Sequence, residues 1–336
     1  MSQQLLTQEG GAFTGNARDI INANFTELFG GLLQVGNVYY CDATAGNDSN
    51  SGESASLALL TLSAAYNKCV SGNNDVVVLI GDGTTAKTQR VNAAFTWSKN
   101  ATHLLGISAP VLYSLRARIA PTGSTTAFTP FFTISGNGCT FQNIQWFHGF
   151  DTGTTSQICM VLTGSRNYFK NCHIVGMGDT TSGASAGSRS IKIGSSGSGE
   201  NVFRDCVIGV DTVLRSAANA SVEFVSGTVR NSFIDCVFPF ITDDAAALGY
   251  IGSAAACMDR TNEFVRCRFI NAIKSTSTAM DALGTLAASA GGLLLFQNCT
   301  LVGITEFGTD ATTRALCYVD GAAPTAATSG IAVNPT

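Results

Sequence analysis

The sequence predicts an all-β solenoid, in which short strands stack coil upon coil around one continuous core. One short phrase occurs six times: a phenylalanine is followed two positions later by Asn, Asp or Arg and then, in five copies, by cysteine. The lead residues, 28 to 34 positions apart, are Phe141, Phe169, Phe203, Phe233, Phe264 and Phe296. A period of about 30 residues in β-type sequence is typical of stacked units that share one core.

Each phrase is predicted to form two short strands joined by a bend. The phenylalanine and the cysteine both point inward if the residue between them is bent, because one bent residue corrects the two-residue alternation of a strand. Asn and Asp suit such a bend, since they tolerate left-handed backbone conformations. The predicted bend residues are Asn143, Asn171, Asp205, Asp235, Arg266 and Asn298.

Equivalent residues of neighbouring coils should stack about 4.8 Å apart, so the phenylalanines form one inner column and the cysteines a second. The second column is headed by Ile144 and continues with Cys172, Cys206, Cys236, Cys267 and Cys299. We expect buried, reduced thiols, because the chain has an odd number of cysteines, 11, and free cysteine behaves as a small hydrophobe. The three histidines are scattered and no Cys-x-x-Cys occurs, so the sequence predicts neither a zinc site nor a cofactor.

These repeats resemble the right-handed parallel β-helix proteins of the pectin-lyase-like fold. The resemblance covers roughly residues 37–320 and implies a right-handed, single-stranded parallel β-helix. It also implies an asparagine ladder at the bend, interrupted at Arg266. Residues 39–81 resemble the start of such a helix, with a first strand, a polar loop, a capping helix over 60–66 and a first regular strand over 75–81. The fold hosts enzymes and inert spikes alike, so it does not decide activity.

The N-terminal segment, residues 1–36, lies outside the repeat and is predicted to contain a short amphipathic helix over 17–29. Its apolar face consists of Ala17, Ile20, Ile21, Phe25, Leu28 and Phe29. A helix this short must dock on something, and two interpretations stay open. It caps the end of the solenoid, or it attaches and trimerises the protein within a larger particle. Residues 15–28 resemble the N-terminal segment of tailed-bacteriophage fibres and spikes, which favours attachment.

Residues 321–336 are predicted to form an extended strap.

Composition argues against two classes of partner. Charged residues make up 12% of the chain and the net charge is −4, whereas a nucleic-acid binder needs a basic stripe. No apolar run reaches the length of about 18 residues that spans a bilayer. The N-terminus also lacks the basic and apolar regions of a signal peptide, so we expect folding in a cytoplasm.

Two groups of polar residues are candidates for chemistry. Asp205 and Asp235 occupy equivalent positions in consecutive coils, and a stacking distance of about 5 Å matches the carboxylate pair of a retaining glycosidase, with Arg268 nearby. The competing interpretation is that both serve the bend. Asp42, Asn47 and Asp48 offer oxygen ligands for calcium, although turn formation explains the same composition.

The sequence therefore supports two main functions. The first is a virion structural protein of a tailed bacteriophage, a homotrimeric head-fibre, decoration or tail-fibre component mounted through residues 1–36 on other virion proteins and in contact with host surface glycan. The alternative is a tailspike polysaccharide depolymerase that uses Asp205, Asp235 and Arg268. Glycan adhesion without catalysis is a third, weaker option.

Overall fold

The fold is a right-handed parallel β-solenoid of about seven turns, which confirms the predicted all-β class. The helix predicted over 17–29 and the strap predicted over 321–336 lie outside the described residues. None of the helices in the described stretches is long and apolar enough to cross a membrane. The computed structural model describes residues 36–123, 128–149, 156–194, 198–252, 254–272, 277–309 and 311–320.

Three long parallel sheets run along the solenoid. The first sheet comprises β1 (Val38–Cys41), β2 (Asp75–Ile80), β5 (Thr102–Ile107), β8 (Thr140–Gln142), β11 (Tyr168–Lys170), β14 (Val202–Arg204), β17 (Ser232–Ile234), β20 (Arg260–Val265), β24 (Gly292–Gln297) and β27 (Cys317–Val319). The second comprises β3 (Gln89–Val91), β6 (Arg118–Pro121), β9 (Gln145–Phe147), β12 (His173–Val175), β15 (Val207–Ile208), β18 (Val237–Phe240), β21 (Arg268–Asn271) and β25 (Thr300–Val302).

The remaining elements complete each coil or close its ends. The third sheet comprises β4 (Phe95–Trp97), β7 (Phe132–Ile134), β10 (Ile158–Leu162), β13 (Arg189–Ile193), β16 (Ala220–Phe224), β19 (Leu248–Gly252) and β23 (Gly284–Leu286). A two-stranded sheet pairs β22 (Met280–Ala282) with β26 (Ile304–Glu306). The helices are a 3-10 turn (Ala55–Leu57), α1 (Leu62–Lys68), α2 (Thr180–Gly183) and α3 (Ala311–Leu316).

A regular coil passes from the first sheet through the bend to the second sheet, then through a longer connection to the third. All six predicted bend residues have left-handed backbone conformations, with φ between 48° and 59°. One such residue between two strands turns the chain and keeps the phenylalanine and the cysteine on the same inner face. The structure therefore confirms the prediction that one bent residue keeps the phenylalanine and the cysteine on the same face.

The phenylalanine column is continuous through six coils. Successive rings stack with centroids 4.4 to 5.1 Å apart and interplanar angles of 8° to 16°. Each of the six side chains is fully buried. The strands pair in the register that places each phenylalanine directly over the next, as between Phe203 and Phe233. The core is thus one unbroken column, as the repeat predicts.

The thiol column is also present, and it has a hydrogen-bonding role. Each column cysteine donates its thiol to the backbone carbonyl of the phenylalanine in the preceding coil, over 3.2 to 3.5 Å. Cys172 bonds to Phe141 in this way, and Cys236 bonds to Phe203. Burial raises the pKa of the Cys172 and Cys236 thiols, which keeps them protonated as donors. All 11 cysteines are free, and only Cys299 is partly exposed.

The amide ladder lies at a different turn from the one predicted. At the bend, Asn171 donates its side-chain amide to Asn143, and the next bend residues are charged. A buried asparagine column stands instead at the turn that leads into the first sheet. Its members are Asn167, Asn201, Asn231 and Asn262. Each side-chain oxygen accepts a hydrogen bond from a backbone N–H of the preceding coil. An asparagine side chain suits this position because its amide is both a donor and an acceptor.

Helix α1 covers the N-terminal end of the core, as the resemblance implies. The Thr61 hydroxyl caps it by accepting from the Ala64 N–H. Leu62, Ala65 and Tyr66 are buried against the first coils, and the Tyr66 ring lies 4.4 Å from that of Trp97. The open end of an otherwise exposed core is therefore closed by apolar side chains within the described part of the chain.

Candidate functional site

The two bend carboxylates are each held by a neighbouring cation. Lys170 forms an ion pair with Asp205, and Arg266 binds Asp235 with two hydrogen bonds of 2.7 and 2.8 Å. The Arg266 hydrogen bonds lower the pKa of Asp235. A retaining glycosidase also needs a general acid with a raised pKa, and Asp235 does not meet that requirement. The two ion pairs therefore account for these carboxylates as parts of the bend.

Arg268, the third candidate for catalysis, lies elsewhere. It begins β21, and its side chain is exposed on the outer face of the second sheet. No hydrogen bond or ion pair joins it to Asp205 or Asp235 among the described residues. The structure thus brings the two carboxylates into equivalent positions but does not join Arg268 to them.

The calcium candidates are engaged in turns. Asp42 accepts from the Thr44 and Ala45 N–H groups and forms an ion pair with Lys87. The other two residues act locally: Asn47 accepts from the Ser49 N–H, and the Asp48 carboxylate accepts two backbone N–H groups at the start of α1. No cluster of three His, Cys, Asp or Glu residues suited to a metal occurs within the described stretches. Turn formation explains all three side chains.

Asp42 should make stability sensitive to acid. Burial alone would raise its pKa, but hydrogen bonds from Lys87, Thr44 and Ala45 outweigh burial and lower the pKa to about 2. The unfolded value is about 3.9, so Asp42 stabilises the fold above pH ~4 and loses roughly 2 kcal/mol as the pH falls to 2. We expect the difference in unfolding free energy between wild type and Asp42→Asn, measured in urea, to shrink from pH 7 to pH 2.5. A difference that does not change with pH would contradict this assignment.

The outer face of the third sheet carries a charged cluster that sequence reasoning missed. The Glu223 carboxylate lies 3.0 Å from Arg189 Nε and 3.5 Å from Lys192 Nζ. Arg189 also donates to the carbonyls of Ala186 and Ser188. The cluster therefore ties the connection after α2 to the sheet. Arg189 and Lys192 lie on β13, and Glu223 lies on β16 of the next coil. Their matching positions on neighbouring strands were the signal that the sequence offered for this cluster.

The outer face of the second sheet is covered by loops. Apolar residues on this side are buried although they do not belong to the main core, and they include Leu115, Ala120, Val175, Val207 and Val237. A cluster of this kind, under long connections, is common beside a principal core. The loop over 108–117, which joins β5 to β6, supplies part of the cover.

His173 fastens that loop. Its Nδ1 accepts from the Ser114 N–H over 3.1 Å and lies 3.2 Å from Gln145 Nε2, so the proton sits on Nε2 and is donated to the Gly209 carbonyl over 3.0 Å. Burial lowers the pKa of His173 to about 4. The imidazole is buried, neutral and fully hydrogen-bonded, so it positions the loop and is not free to exchange protons with a substrate.

Three arginines lie on this side of the solenoid, and we call them the arginine patch: Arg90 of β3, Arg116 at the end of the loop and Arg118 of β6. The Arg118 guanidinium lies 3.9 Å from the centre of the Phe147 ring, and its Nε has no hydrogen-bond partner within the described part of the chain. Burial, with the nearby charges of Arg90 and Arg116, lowers the pKa of Arg118 to about 10. None of the ion pairs among the described residues involves the patch.

The same loop exposes apolar side chains to solvent. Tyr113 is 39% exposed, Val111 is 46% exposed, and Ile107, where the loop begins, is 54% exposed. The Tyr113 ring meets the His173 ring edge-on at 6.0 Å, which holds it in place. Tyr113 therefore packs against β12, in the middle of the second sheet, with the charges of Asp211 and Arg268 nearby.

Comparisons with solved structures agree with the fold. A rhamnogalacturonan lyase is 14% identical with a TM-score of 0.57, over 85% of this chain and 75% of that chain. A pectin methylesterase in complex with a hexasaccharide is 18% identical with a TM-score of 0.50, over 80% and 81%. ORF18 of Geobacillus virus E2 is 12% identical with a TM-score of 0.49, over 90% and 58%. Comparisons with protein-family models and with curated proteins gave no match. At these identities the likeness shows the fold alone.

Proposed function

We propose that this chain is a structural component of a tailed-bacteriophage virion, mounted by residues 1–36 and projecting its β-helix as a fibre, spike or decoration. The observation that carries the proposal is the unbroken stack of phenylalanine rings and thiols through consecutive coils. Such a stack makes a stiff rod, because each coil packs on the next and exposes little backbone between them. The ion-paired state of Asp205 and Asp235 is consistent with a rod that does no chemistry at its bend.

The amphipathic segment supports attachment as the role of the N-terminus. Ile21, Phe25 and Leu28 recur at helical spacing, and residues 15–28 resemble the corresponding segment of phage fibres and spikes. An apolar face on so short a helix gains stability only by docking. We expect it to dock on other virion proteins and on two further copies of this chain, which gives a homotrimer located in the virion.

Removal of residues 1–36 tests the attachment. The truncated protein should keep its β-type circular dichroism and cooperative melting, but it should be lost from purified particles and should run as a monomer in light scattering. In the full chain, Phe25→Asp with Leu28→Asp should have the same effect, while Thr26→Ala, on the polar face of the predicted helix, should not. Normal incorporation of the truncated protein into particles would refute the attachment.

Polysaccharide cleavage is the second candidate. The names of the lyase and the methylesterase refer to polysaccharide substrates, and these proteins share the fold. The candidate residues remain Asp205, Asp235 and Arg268. We expect incubation of purified protein with host capsule or lipopolysaccharide to leave chain length unchanged by size-exclusion chromatography. Shortening that disappears in Asp235→Asn would make the protein a depolymerase instead.

A further inference from the structure

We propose that Cys267 and Cys299 form a modification site, a pair of thiols that a small disulfide or a peroxide oxidises to a disulfide bridge. The bridge joins the last two coils of the second sheet, at the C-terminal end of the solenoid. This inference goes beyond the proposed function, and its chemistry is testable on the purified protein whether or not the virion role holds.

The two cysteines occupy the same position in neighbouring coils. The strands before them, β20 and β24, pair in register, and so do the strands after them, β21 and β25. The bend residues that precede them, Arg266 and Asn298, share a φ of 51°. The Thr300 N–H also donates to the Cys267 carbonyl over 2.9 Å. Their Cα atoms are therefore about 4.8 Å apart, which is inside the range of about 4.4–6.8 Å that a disulfide requires.

The Cys299 thiol already points toward the coil that contains Cys267. It donates to the Phe264 carbonyl of that coil over 3.3 Å. Interaction with the Cys267 thiol, and then burial, raises the pKa of Cys299, as expected for neighbouring thiols in one column. The Cys267 thiol donates to the Phe233 carbonyl over 3.2 Å, so it must rotate about its Cα–Cβ bond to meet Cys299. A thiol is a weak donor, so the loss of these two hydrogen bonds costs little.

Access distinguishes this pair from the rest of the thiol column. Cys299 is partly exposed, whereas the other four members of the column are buried. Cys299 directly precedes β25, which is the last strand of the second sheet among the described residues. An oxidant in solution therefore reaches Cys299 first, and Cys267 is the next thiol along the column.

The reaction with a small disulfide has two steps. The Cys299 thiolate attacks one sulfur of the reagent, which forms a mixed disulfide and releases one small thiol. The Cys267 thiolate then attacks the Cys299 sulfur, which forms the bridge and releases the second small thiol. The protein pair gives up two electrons and two protons, and the reagent is reduced to two thiols. With hydrogen peroxide, Cys299 passes through a sulfenic acid, and the two steps release two waters.

The bridge has a clear effect on the end of the rod. It closes a loop of one coil, which restricts the unfolded chain and so stabilises the folded end. Thiols stay reduced in a cytoplasm, whereas disulfides form and persist outside the cell. If the protein is mounted through its N-terminus, the C-terminal coils lie farthest from the particle. The site then strengthens this end after release from the host.

Incubation of the reduced full chain with oxidised glutathione at pH 8.5 tests the site. The raised pKa of Cys299 leaves little thiolate at neutral pH, so the exchange should take hours. Two of the 11 thiols should be lost when free thiols are titrated in denaturant. Peptide mass spectrometry should find Cys267 joined to Cys299, with no glutathione left on the protein. Limited proteolysis of the last two coils should slow several-fold, and dithiothreitol should reverse each change.

Two variants separate the steps of the reaction. Cys299→Ser should lose no thiol, because the accessible sulfur is gone. Cys267→Ser should keep a stable glutathione adduct on Cys299, because the first step proceeds and the second cannot. Cys206→Ser is the matched control, since it removes a thiol from the same column and a serine hydroxyl can donate to the same Phe169 carbonyl. It should form the bridge as the wild type does.

Three results would overturn the proposal. The first is a glutathione adduct that persists on Cys299 of the wild type, since Cys267 then fails to reach it. The second is a wild type that keeps all its thiols. The third is a bridge between other cysteines or between two copies of the chain. Each is measured on purified protein, so failure of the site and failure of the virion role, which incorporation into particles tests, are separate results.

Discussion

Phe203→Ala is expected to lower the free energy of unfolding by about 3–5 kcal/mol, measured by urea denaturation. The Phe203 ring lies in the middle of the column, 4.4 Å from Phe169 and 4.7 Å from Phe233, and it is fully buried. Removing it opens a cavity and breaks two stacked contacts at once. The coils above and below are packed on this layer, so they have little freedom to close the gap.

Leu57→Ala provides the control for that measurement. Leu57 is 49% exposed in the 3-10 turn and lies outside the core, so its loss should change stability by less than about 0.5 kcal/mol. If Phe203→Ala were as mild as Leu57→Ala, the column would not be the source of stability. An intact far-UV spectrum in both variants before denaturation shows that the comparison is between folded proteins.

Asn231→Ala is expected to cost roughly 2–4 kcal/mol, because it leaves buried polar groups without partners. The Asn231 oxygen accepts from the Asn201 backbone and side chain over 3.2 and 2.9 Å, and its amide donates to Asn262 over 2.8 Å. Alanine replaces none of these bonds, and the site is buried on all sides. Thermal melting should show a clear drop in the midpoint.

Asn67→Ala is the matched control for the asparagine column. Asn67 is exposed on α1, and its replacement should change stability by less than about 0.5 kcal/mol. A small effect of Asn231→Ala, comparable to that of Asn67→Ala, would mean that water replaces the lost amide. Hydrogen exchange at the Asn201 N–H provides a second measurement, since protection there should fall only in Asn231→Ala.

The inner columns were predictable from sequence because they repeat. The phenylalanine of each repeat pairs in register with that of the next. Because side chains alternate along a strand, a bent residue is required before Cys206 or Cys236 for the cysteine to face inward. The position of the amide ladder was not predicted correctly. A bend residue can join an amide ladder or form an ion pair with a neighbouring cation. Asp205 and Asp235 form ion pairs, so the amide ladder does not continue along the bend.

The outer surfaces were much less predictable, because the contacts that build them are not periodic. The scattered histidines predicted no zinc site, and the contact of His173 with Ser114 was not predictable because Ser114 lies 59 residues earlier in a loop without any repeat. The three arginines of the patch come from two strands, β3 and β6, and from the loop before β6, and their approach depends on the winding of the chain. The spacing of a repeat fixes the residues that face the axis, whereas each insertion between strands determines what lies outside.

The parallel register determines how the length of such a solenoid can change. Each coil adds the same advance of about 4.8 Å, so length comes in whole steps. Loss of the 30 residues 203–232 would join Val202 to Phe233, and a phenylalanine would still follow in the same place. Duplication of such a segment would lengthen the rod by one step without disturbing its ends. Gain or loss of part of a period would turn polar side chains toward the axis, so evolution of rod length should proceed by whole coils.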